Sequence, residues 1–336
     1  MKIGIICAGD RELEPFLPHI QNLKTSKKAM LTFYEGTING VSVVTLYCGV
    51  CKTNAAIATQ ILIDSYHVST IINAGTAGGM DDKLDIFDTV ISTEVVHHDV
   101  HEDILTKFHP WMPSVFFKSS DILLELAKTV TVQLQAEHKI YFGRMVTGEC
   151  FITDDGRDEI NSAFEPLCVD METASIAHTC YVNEVPFIAI RTLTDTSTHS
   201  GAEHFDKNVV VASKISKTIV IELLKEIGGE NMLDVNKETF EAEVLQASGK
   251  VLVDFYGDGC VPCEALLPFV TAMGSKYGDK LKFVKLNTTK ARRLAIGQKV
   301  LGLPVIAIYE NCEKIEELVK DDATEANIEA MIERHI

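Results

Sequence analysis

Short runs of apolar, mostly β-branched residues alternate with longer amphipathic stretches from Lys2 to about Ile227. The short runs predict buried strands, and the amphipathic stretches predict helices. A helix is expected over Ala212–Ile227, where apolar residues recur at helical spacing. Strands that alternate with helices favour an α/β domain with a mostly parallel sheet covered on both faces. The expected strands are Lys2–Ile6, Val41–Tyr47, Thr70–Ala74, Thr89–Val96 and Phe187–Thr192.

A second α/β unit follows this helix. Gly228-Gly229-Glu230-Asn231 predicts a helix end and a linker. After it we expect a helix over Lys237–Ala247 and a strand over Lys250–Tyr256. The length of 336 residues suits two domains of about 150 residues each. We therefore place one domain at residues 1–229 and the other at residues 230–336.

Composition and charge indicate which classes of partner the protein has and in which cell compartment it lies. Apolar residues make up 46% of the chain and charged residues 24%, which is typical of a globular protein. The 31 basic and 48 acidic residues give a net charge of −17, which repels phosphate backbones and anionic lipids. We expect neither nucleic acid nor a membrane as a partner. The nine cysteines and an N-terminus without a signal-peptide pattern predict reduced thiols and a cytoplasmic location.

A C-x-x-C motif is the strongest signal of the second unit. The predicted strand ends at Tyr256, a glycine-containing turn follows, and Cys260-Val261-Pro262-Cys263 opens a helix that is expected to reach Pro268. A helix N-terminus favours the thiolate of Cys260, and the thiolate is the nucleophile of disulfide exchange. Cys263, one turn later, can attack the mixed disulfide and release the substrate. Half of a zinc site has the same spacing, but this unit has no second C-x-x-C and no histidine pair, so no metal is expected.

This unit resembles thioredoxin over nearly its whole length. The resemblance rests on Asp254-Phe255 in a strand, the Cys-x-Pro-Cys motif, Pro268, and Leu303-Pro304-Val305. It implies a thioredoxin-like α/β domain in which Pro304 is a cis-proline facing the disulfide. It also implies that Asp254 is a buried carboxylate assisting proton transfer to Cys263, and that a thioredoxin reductase-like protein donates electrons.

Three positions near the motif modify this expectation. Gly259 stands where the family has Trp, and Val261 stands where it has Gly. Val261 is conformationally stiff and should change the turn and the redox potential. Asp258, if it lies near Cys260, would oppose thiolate formation. A redox-inert thioredoxin fold that serves as a docking or solubilising module is the alternative interpretation of this unit.

Four motifs of the first unit lie at the ends of predicted strands or at the start of a predicted helix. Glu12 follows the first strand, Glu172 opens a helix, and Asp195 ends a strand. Ligands of open α/β sheets bind at the carboxyl ends of strands, so these three carboxylates form a candidate site. A further motif is a buried strand followed by a glycine-rich loop, which lacks the G-x-G-x-x-G order of a dinucleotide site. The motifs span Ile3–Glu12, Ile71–Gly79, Val169–Ser175 and Ile190–Asp195.

Residues 1 to about 228 resemble the 5′-methylthioadenosine/S-adenosylhomocysteine nucleosidases of the purine nucleoside phosphorylase superfamily. The four motifs come in that family's order and spacing. The resemblance implies a phosphorylase/hydrolase-like α/β domain with a central mixed sheet. It implies hydrolysis of the N-glycosidic bond with release of adenine, as in methionine salvage, without a cofactor. It also implies a homodimer with shared sites, in which Pro113 reaches into the neighbour's pocket.

By this resemblance, Glu12 activates the attacking water, Glu172 binds the ribose hydroxyls, and Asp195 protonates adenine N7. Arg191 orients the acidic pair, and Thr76 lies near the nucleophile, where the family commonly has Ser. Further substrate contacts are expected from Val50, Ala77, Gly78, Phe151, Ile152, Met171 and Phe205.

The expected residue types suit the chemistry of glycosidic cleavage. A leaving base needs an acid that is still protonated near neutral pH, and burial raises the pKa of a carboxyl group. A carboxylate beside the ribose stabilises the positive charge that develops there. A second carboxylate takes a proton from water on the opposite face.

Other functions remain open on the sequence alone. A nucleoside phosphorylase would need a phosphate site, usually with more than one Arg. Arg11 hints at such a site, whereas Asn73-Ala74 offers no cation. Futalosine-type nucleosides are alternative substrates. A disulfide reductase that keeps the nucleosidase fold as a scaffold predicts lost acids, and all three acids are present.

Two polar clusters invite further hypotheses. His97-His98-Asp99 and His101 could ligate a metal, although a polar loop at a subunit interface is the favoured interpretation. Cys48-Gly49-Val50-Cys51 is a second C-x-x-C beside the expected pocket. One hypothesis is a regulatory disulfide between Cys48 and Cys51 that Cys260 and Cys263 reduce, whereas buried cysteines usually act as small hydrophobic residues.

Overall fold

The computed structural model describes residues 1–109, 111–134, 137–153, 156–198, 201–229, 232–278 and 280–336. The chain divides into two compact units, Met1–Leu224 and Lys225–Ile336. The sequence places the boundary between residues 229 and 230, and that position stays a prediction. Glu230 and Asn231 of the expected linker lie outside the described residues.

The first unit is a sheet with helices between its strands. Its strands, within the described residues, are β1 (Lys2–Cys7), β2 (Gln21–Lys28), β3 (Leu31–Ile38), β4 (Val41–Tyr47), β5 (Thr70–Gly79), β6 (Thr89–His97), β7 (Phe117–Lys118), β8 (Ile140–Thr147), β9 (Cys168–Asp170) and β10 (Phe187–Asp195). Its helices are α1 (Asp10–Leu13), α2 (Lys52–Tyr66), α3 (Glu102–Phe108), α4 (Asp121–Gln133), α5 (Arg157–Phe164), α6 (Thr173–Val182) and α7 (Ala202–Ile227), with a 3-10 turn at Leu17–His19.

The predicted strands of the first unit are all present in the structure. β1 pairs in parallel with β4 and β5, and β5 pairs in parallel with β10. These strands are nearly continuous in apolar sequence because both faces of the sheet are covered. α7 begins at Ala202, earlier than the predicted Ala212.

The glycine-rich segment at Gly75–Gly79 is strand rather than the predicted loop. It continues β5, and its backbone pairs with β10 on one side and with β9 on the other. These two partners satisfy the backbone hydrogen bonds that a loop would leave open. The prediction failed because glycine weakens the local preference for a strand, and the pairing overrides it.

The central sheet is mixed. Its strands lie in the order β10-β6-β8-β9-β5-β1-β4-β3-β2, and β10 also pairs with β5. β10, β6, β8, β9 and β5 therefore form a closed circuit. The antiparallel pairs are β2–β3, β3–β4, β5–β9, β6–β7 and β6–β10. This confirms the mixed α/β sheet that the resemblance implies and corrects the mostly parallel sheet that the pattern favoured.

The second unit has the thioredoxin-like α/β arrangement. A sheet in the order β11-β13-β12-β14-β15 carries β12 at its centre, parallel to β13 and antiparallel to β14. Its strands, within the described residues, are β11 (Leu233–Val235), β12 (Val251–Tyr256), β13 (Lys282–Asn287), β14 (Val305–Glu310) and β15 (Glu313–Val319). Its helices are α8 (Val261–Tyr277), α9 (Arg292–Gly297) and α10 (Glu325–His335), with a 3-10 turn at Lys320–Asp322.

Two predicted helices of this unit need correction. In place of the helix over Lys237–Ala247, a turn leads into a short π-helical segment at Glu241–Leu245. The Asn236 side chain accepts hydrogen bonds from the backbone of Glu238 and Thr239, which favours the turn. The helix that begins after Cys260 does not stop near Pro268. It continues to Tyr277 because the residues that follow the proline are buried against the unit's core.

No helix in the described part of the chain is both long and apolar enough to cross a membrane.

Candidate active site

A cavity of about 410 Å³ opens in the first unit where β1 and β10 end. All the residues that the sequence predicted for the nucleosidase site line this cavity. They are Glu12, Val50, Thr76, Ala77, Gly78, Phe151, Ile152, Met171, Glu172, Arg191, Asp195 and Phe205. The remaining lining residues are Ala8, Gly9, Asp10, Arg11, Cys150, Val169, Asp170, Thr194, Ala202 and Val209.

Glu12 is buried and is held by four donors. Its Oε1 accepts hydrogen bonds from the backbone N–H of Thr76 at 2.7 Å and from the Thr76 hydroxyl at 2.8 Å. Its Oε2 accepts from the N–H groups of Ala8 at 2.7 Å and Gly9 at 3.1 Å. The turn after β1 therefore fixes the carboxylate against β5, with little freedom to move.

Gly75 is required by this close approach. A Cβ atom at that position would lie 2.4 Å from Glu12 Oε1 and 2.7 Å from Arg191 Nη1. Both distances are shorter than any van der Waals contact, so a side chain would displace the two charged groups. The glycine in the predicted motif thus serves the packing of charges rather than a flexible loop.

Arg191 is a fully buried cation among three carboxylates. Its Nη2 lies 3.0 Å from Asp170 Oδ2 and 3.5 Å from Glu172 Oε2, and its Nη1 lies 3.8 Å from Glu12 Oε1. Burial by itself would lower the pKa of Arg191, but the three carboxylates raise it overall, so the guanidinium stays charged. Three negative groups around one positive group leave the site with excess negative charge.

Glu172 directly precedes α6, as the sequence predicted. Its Oε1 accepts a hydrogen bond from the backbone N–H of Cys51 at 3.0 Å. Burial raises the pKa of Glu172 to about 7, although the neighbouring Arg191 favours the ionised form. Burial and the Arg191 guanidinium thus act on the pKa of this carboxyl group in opposite directions.

Cys51, the donor to Glu172, has an unusual backbone. Its φ of 82° and ψ of 161° fall in a region that is almost restricted to glycine. Such a conformation costs on the order of 1–3 kcal/mol and is found where the surrounding structure imposes it. Here it aims an N–H group at a catalytic candidate.

Asp195 ends β10 and lines the same cavity. The Thr194 hydroxyl donates to its Oδ1 at 2.8 Å. Its Oδ2 is buried and has no hydrogen-bond partner among the described residues. Burial raises the pKa of Asp195 to about 6. A carboxyl group with a free oxygen and a raised pKa is suited to donate a proton.

Asp170 is the main site residue that the sequence analysis missed. Besides its ion pair with Arg191, it accepts from the Thr147 hydroxyl at 2.6 Å and from the backbone N–H of Thr173 at 3.1 Å. The N–H of Glu172 lies 3.3 Å from the same carboxylate. Asp170 therefore fixes both Arg191 and the start of α6. Its place two residues before Glu172, at the end of a buried strand, was the available signal.

The rim of the cavity is aromatic and charged. The rings of Phe151 and Phe205 meet edge to face, with centroids 6.4 Å apart. The Arg11 guanidinium lies 5.4 Å from the centroid of Phe205 and forms an ion pair with Asp206. Val50, a further residue of the lining, is half exposed. This end of the cavity is open to solvent, whereas the carboxylates lie at the buried end.

The second unit holds a disulfide at the predicted motif. Cys260 and Cys263 are joined, with Cα atoms 5.3 Å apart. Cys260 precedes α8, and its Sγ accepts from the N–H of Cys263 at 3.3 Å. The peptide bond before Pro304 is cis, as the resemblance implied. Asp254 is fully buried, which raises its pKa to about 7 in spite of the nearby Lys285.

The structure explains one of the departures from the thioredoxin pattern, Gly259, and leaves Val261 unexplained. Gly259 has a φ of 73°, a left-handed conformation that suits glycine. Val261 is strongly exposed, and nothing in the structure explains its choice. Asp258 accepts a hydrogen bond from the Asn287 side chain at 2.8 Å. Its expected effect on the Cys260 thiolate stays a prediction.

Three further sequence predictions concern the histidine cluster, the Cys48–Cys51 pair and Pro113. No group of histidine, cysteine or acidic side chains that could hold a metal occurs in the described part of the chain. Cys48 and Cys51 are both free thiols, and Cys48 is buried. Their regulatory disulfide stays a hypothesis. Pro113 does not line the cavity of its own subunit, and its reach into a neighbour's pocket stays a prediction.

Known proteins resemble each unit separately. The phosphorylase superfamily matches residues 2–225, and the thioredoxin family matches residues 231–334. A 5′-methylthioadenosine/S-adenosylhomocysteine nucleosidase of Tolumonas auensis is 36% identical over 68% of this chain and 100% of its own. A solved nucleosidase of the same name from Colwellia psychrerythraea, in complex with adenine, has a TM-score of 0.62. It is 33% identical and covers 67% of this chain and 94% of that chain.

The similarity in the second unit is stronger still. A thioredoxin of Acetoanaerobium sticklandii is 58% identical over 31% of this chain and 100% of its own. The chain thus belongs to the phosphorylase superfamily over residues 2–225, among the 5′-methylthioadenosine/S-adenosylhomocysteine nucleosidases, and to the thioredoxin family over residues 231–334.

Proposed function

We propose that the first unit hydrolyses the N-glycosidic bond of 5′-methylthioadenosine and S-adenosylhomocysteine and releases adenine. The observation that carries this proposal is the pair of acidic groups in one cavity, Asp195 with a free oxygen and a raised pKa, and Glu172 beside a buried cation. Such a pair can act on both sides of a glycosidic bond at once.

Asp195 acts on the leaving base. A proton on adenine N7 makes the base a better leaving group, and a positioned acid typically contributes about 10²–10⁴-fold to the rate. Because burial raises the pKa of Asp195 to about 6, a useful fraction of the carboxyl group stays protonated near neutral pH. Its unpartnered Oδ2 is available for the hydrogen bond to the base.

Glu172 acts on the sugar. As the bond to the base breaks, positive charge develops on the ribose, and a nearby carboxylate stabilises it. The N–H of Cys51 and the Arg191 guanidinium hold Glu172 in place for the ribose hydroxyls. Asp170, which anchors Arg191 and the start of α6, is a positioning residue for this contact.

Glu12 acts on water. In the proposed reaction it takes a proton from the water that attacks the anomeric carbon, with the Thr76 hydroxyl beside the nucleophile. Phe151 and Ile152 hold adenine, Ala77 and Gly78 approach the nucleoside from β5, and Val50, Met171 and Phe205 line the 5′-alkylthio group. The products are adenine and the free sugar, so atoms and protons balance without a cofactor.

The charges in the cavity favour water over phosphate as the nucleophile. Arg11 and Arg191 are the cations among its described lining residues. Three carboxylates surround Arg191, and Asp206 neutralises Arg11. Neither arginine therefore offers a phosphate dianion an unneutralised positive charge, which argues against the phosphorylase alternative.

Adenine release from 5′-methylthioadenosine, with and without phosphate, tests the proposal. We expect equal rates in both buffers and a free methylthioribose as the second product. A rate that requires phosphate, with a sugar 1-phosphate as product, would identify a phosphorylase. No release from either candidate substrate under any condition would leave the first unit as a scaffold or as an enzyme for futalosine-type nucleosides.

For the second unit we propose thiol–disulfide exchange. The Cys260 thiolate attacks a substrate disulfide and forms a mixed disulfide, and Cys263 then displaces the reduced substrate thiol. Asp254, buried with a pKa near 7, accepts the proton of Cys263 and later returns it. Two electrons pass to the substrate, and a thioredoxin reductase-like protein restores the dithiol.

The setting of the two activities is a further part of the proposal. We expect a cytoplasmic homodimer that takes part in methionine salvage, with Pro113 near the neighbour's pocket. Sedimentation of the full chain tests the dimer, and reduction of insulin by the purified protein with a thioredoxin reductase tests the electron donor. A monomer with full nucleosidase activity would overturn the shared site.

A further inference from the structure

Two opposite charges stand together at the rim of the cavity, where Arg11 belongs to the lining and Asp206 lies outside it. Arg11 Nη2 lies 3.0 Å from Asp206 Oδ1, and the side chains are 43% and 66% exposed. Arg11 belongs to α1, directly before Glu12, and Asp206 belongs to α7, directly after Phe205. The pair therefore joins two elements that both supply walls of the cavity.

The surroundings of this pair are apolar on the inner side. The guanidinium packs over the ring of Phe205, and Val50 lies in the same lining. Asp10, also in the lining, accepts the backbone N–H of Arg11 at 2.7 Å and adds negative charge nearby. An apolar wall thus ends in one cation and two carboxylates.

Stability alone gives little reason for this arrangement. An exposed ion pair contributes about 0–1 kcal/mol to folding. The guanidinium has a planar fork of donors that fits a carboxylate in a bidentate way, and Asp206 occupies one edge of it. Arg11 and Asp206 thus present one positive and one negative group side by side at the rim of the cavity.

The orientation of a nucleoside in the cavity indicates which part of it would meet this pair. Asp195 and Glu172 are almost fully buried, so the glycosidic bond lies at the inner end. In the proposed binding mode, the group on the ribose 5′ carbon extends toward Val50 and Phe205, which line the cavity. Methylthioadenosine ends there in a methyl group, whereas adenosylhomocysteine continues into an α-amino acid with a carboxylate and an ammonium group.

We propose that Arg11 and Asp206 form a subsite for the zwitterionic amino-acid end of the substrate, with Arg11 binding the carboxylate and Asp206 the ammonium group. This inference rests on the proposed nucleosidase function and names the substrate it favours. The two residues determine specificity and take no part in bond cleavage. Asp10 strengthens the preference for an ammonium group.

The experiment compares kcat/KM for S-adenosylhomocysteine with kcat/KM for 5′-methylthioadenosine in the full chain. The Arg11→Gln variant should lower the ratio of the two values about 10–100-fold, the effect of losing a hydrogen-bonded charge pair. Asp206→Asn should lower it less, about 5-fold, because the ammonium group has Asp10 as a second partner. Arg11→Lys, which keeps the charge and loses the fork, should recover part of the ratio.

Two controls separate charge from other effects. Lys128→Gln removes one positive charge from an exposed ion pair of α4 and should leave the ratio unchanged. A 5′-butylthioadenosine, long but uncharged, should follow methylthioadenosine in every variant. A ratio within 2-fold of the wild type in Arg11→Gln would overturn the subsite. Failure of the wild-type protein to cleave either nucleoside would instead overturn the proposed function itself.

Discussion

Both units of the chain bury carboxyl groups with raised pKa values, but they surround them differently. In the first unit, Arg191 and several backbone N–H donors bind the carboxylates that surround Arg191. Asp195 Oδ2 has no hydrogen-bond partner among the described residues. In the second unit, Asp254 is buried in β12, the strand that precedes the disulfide motif, and Lys285 is the cation that partly offsets the rise of its pKa. Burial alone raises a carboxyl pKa, and the neighbouring charges decide what the group can then do.

The difference follows from the two reactions. Glycosidic cleavage needs a proton donor and an anion at the same moment, so the first unit divides these roles between Asp195 and Glu172. Disulfide exchange needs one group that takes and returns a proton in successive steps, and one buried carboxyl group suffices. The two units therefore test independently how burial and neighbouring charges set the pKa and the role of a carboxyl group.

The largest expected effect separates the two units. Cys260→Ser should abolish insulin disulfide reduction, because a serine hydroxyl does not act as the exchanging nucleophile. Adenine release should stay at the wild-type rate. Cys312→Ser, at an exposed free cysteine of the same unit, is the matched control and should keep both activities. Loss of adenine release in Cys260→Ser would show that the two sites are coupled.

Removing the anion of the first unit should have the next largest effect. Glu172→Gln should lower kcat for methylthioadenosine about 10²–10³-fold, because the ribose cation loses its counter-charge. Single-turnover kinetics with adenine detection measure the loss. Glu125→Gln, at an exposed ion pair of α4, changes the charge equally and should leave kcat unchanged. A loss confined to KM would contradict a role in the transition state.

The buried Asp254 should make the second unit less stable as the pH rises. Its folded pKa of about 7 lies above the ordinary 3.8, so the folded state holds a proton that the unfolded state releases. Ionisation of Asp254 therefore does not change the free energy of unfolding below about pH 4. It lowers this free energy by up to about 4 kcal/mol as the pH rises to 7. Asp254→Asn should remove most of this fall in calorimetry of the full chain. Asp321→Asn, at an exposed position, should not.

The smallest effect concerns the strained backbone of Cys51. Cys51→Gly should stabilise the first unit by about 1 kcal/mol, because glycine adopts the observed φ and ψ at low cost. Trp111 is the chain's one tryptophan, so its fluorescence follows urea unfolding of this unit. Cys150→Gly, where the backbone is ordinary, should destabilise instead. Equal destabilisation by both variants would contradict the strain.

The sequence predicted the elements whose pattern is local. β1, β4, β6 and β10 have apolar runs that only a buried strand explains, and the structure confirms them. β2 was missed because its residues are polar and exposed, so no alternation marks it. The helix expected over Lys237–Ala247 failed because an Asn236 turn competes with helix formation there.

The sequence predicted the site residues that stand in recognisable motifs. It did not predict the contacts that form only when distant elements come together in the fold. Glu12, Glu172 and Asp195 stand in motifs, and the cavity brings them together as expected. Asp170 depends on Arg191, which arrives from β10, so its ion pair is invisible in the local sequence. Arg11 and Asp206 lie far apart along the chain, so their ion pair is visible only in the structure.

The most direct test of the account is the role of Asp195 as an acid. In Asp195→Asn, kcat for methylthioadenosine should fall about 10²–10⁴-fold, since the leaving adenine loses its proton donor. With a 4-nitrophenyl 5-methylthioriboside, whose leaving group departs as a stable anion, the same variant should lose less than about 10-fold. Equal losses with both substrates would show that Asp195 supports binding or folding, and would contradict the proposed mechanism.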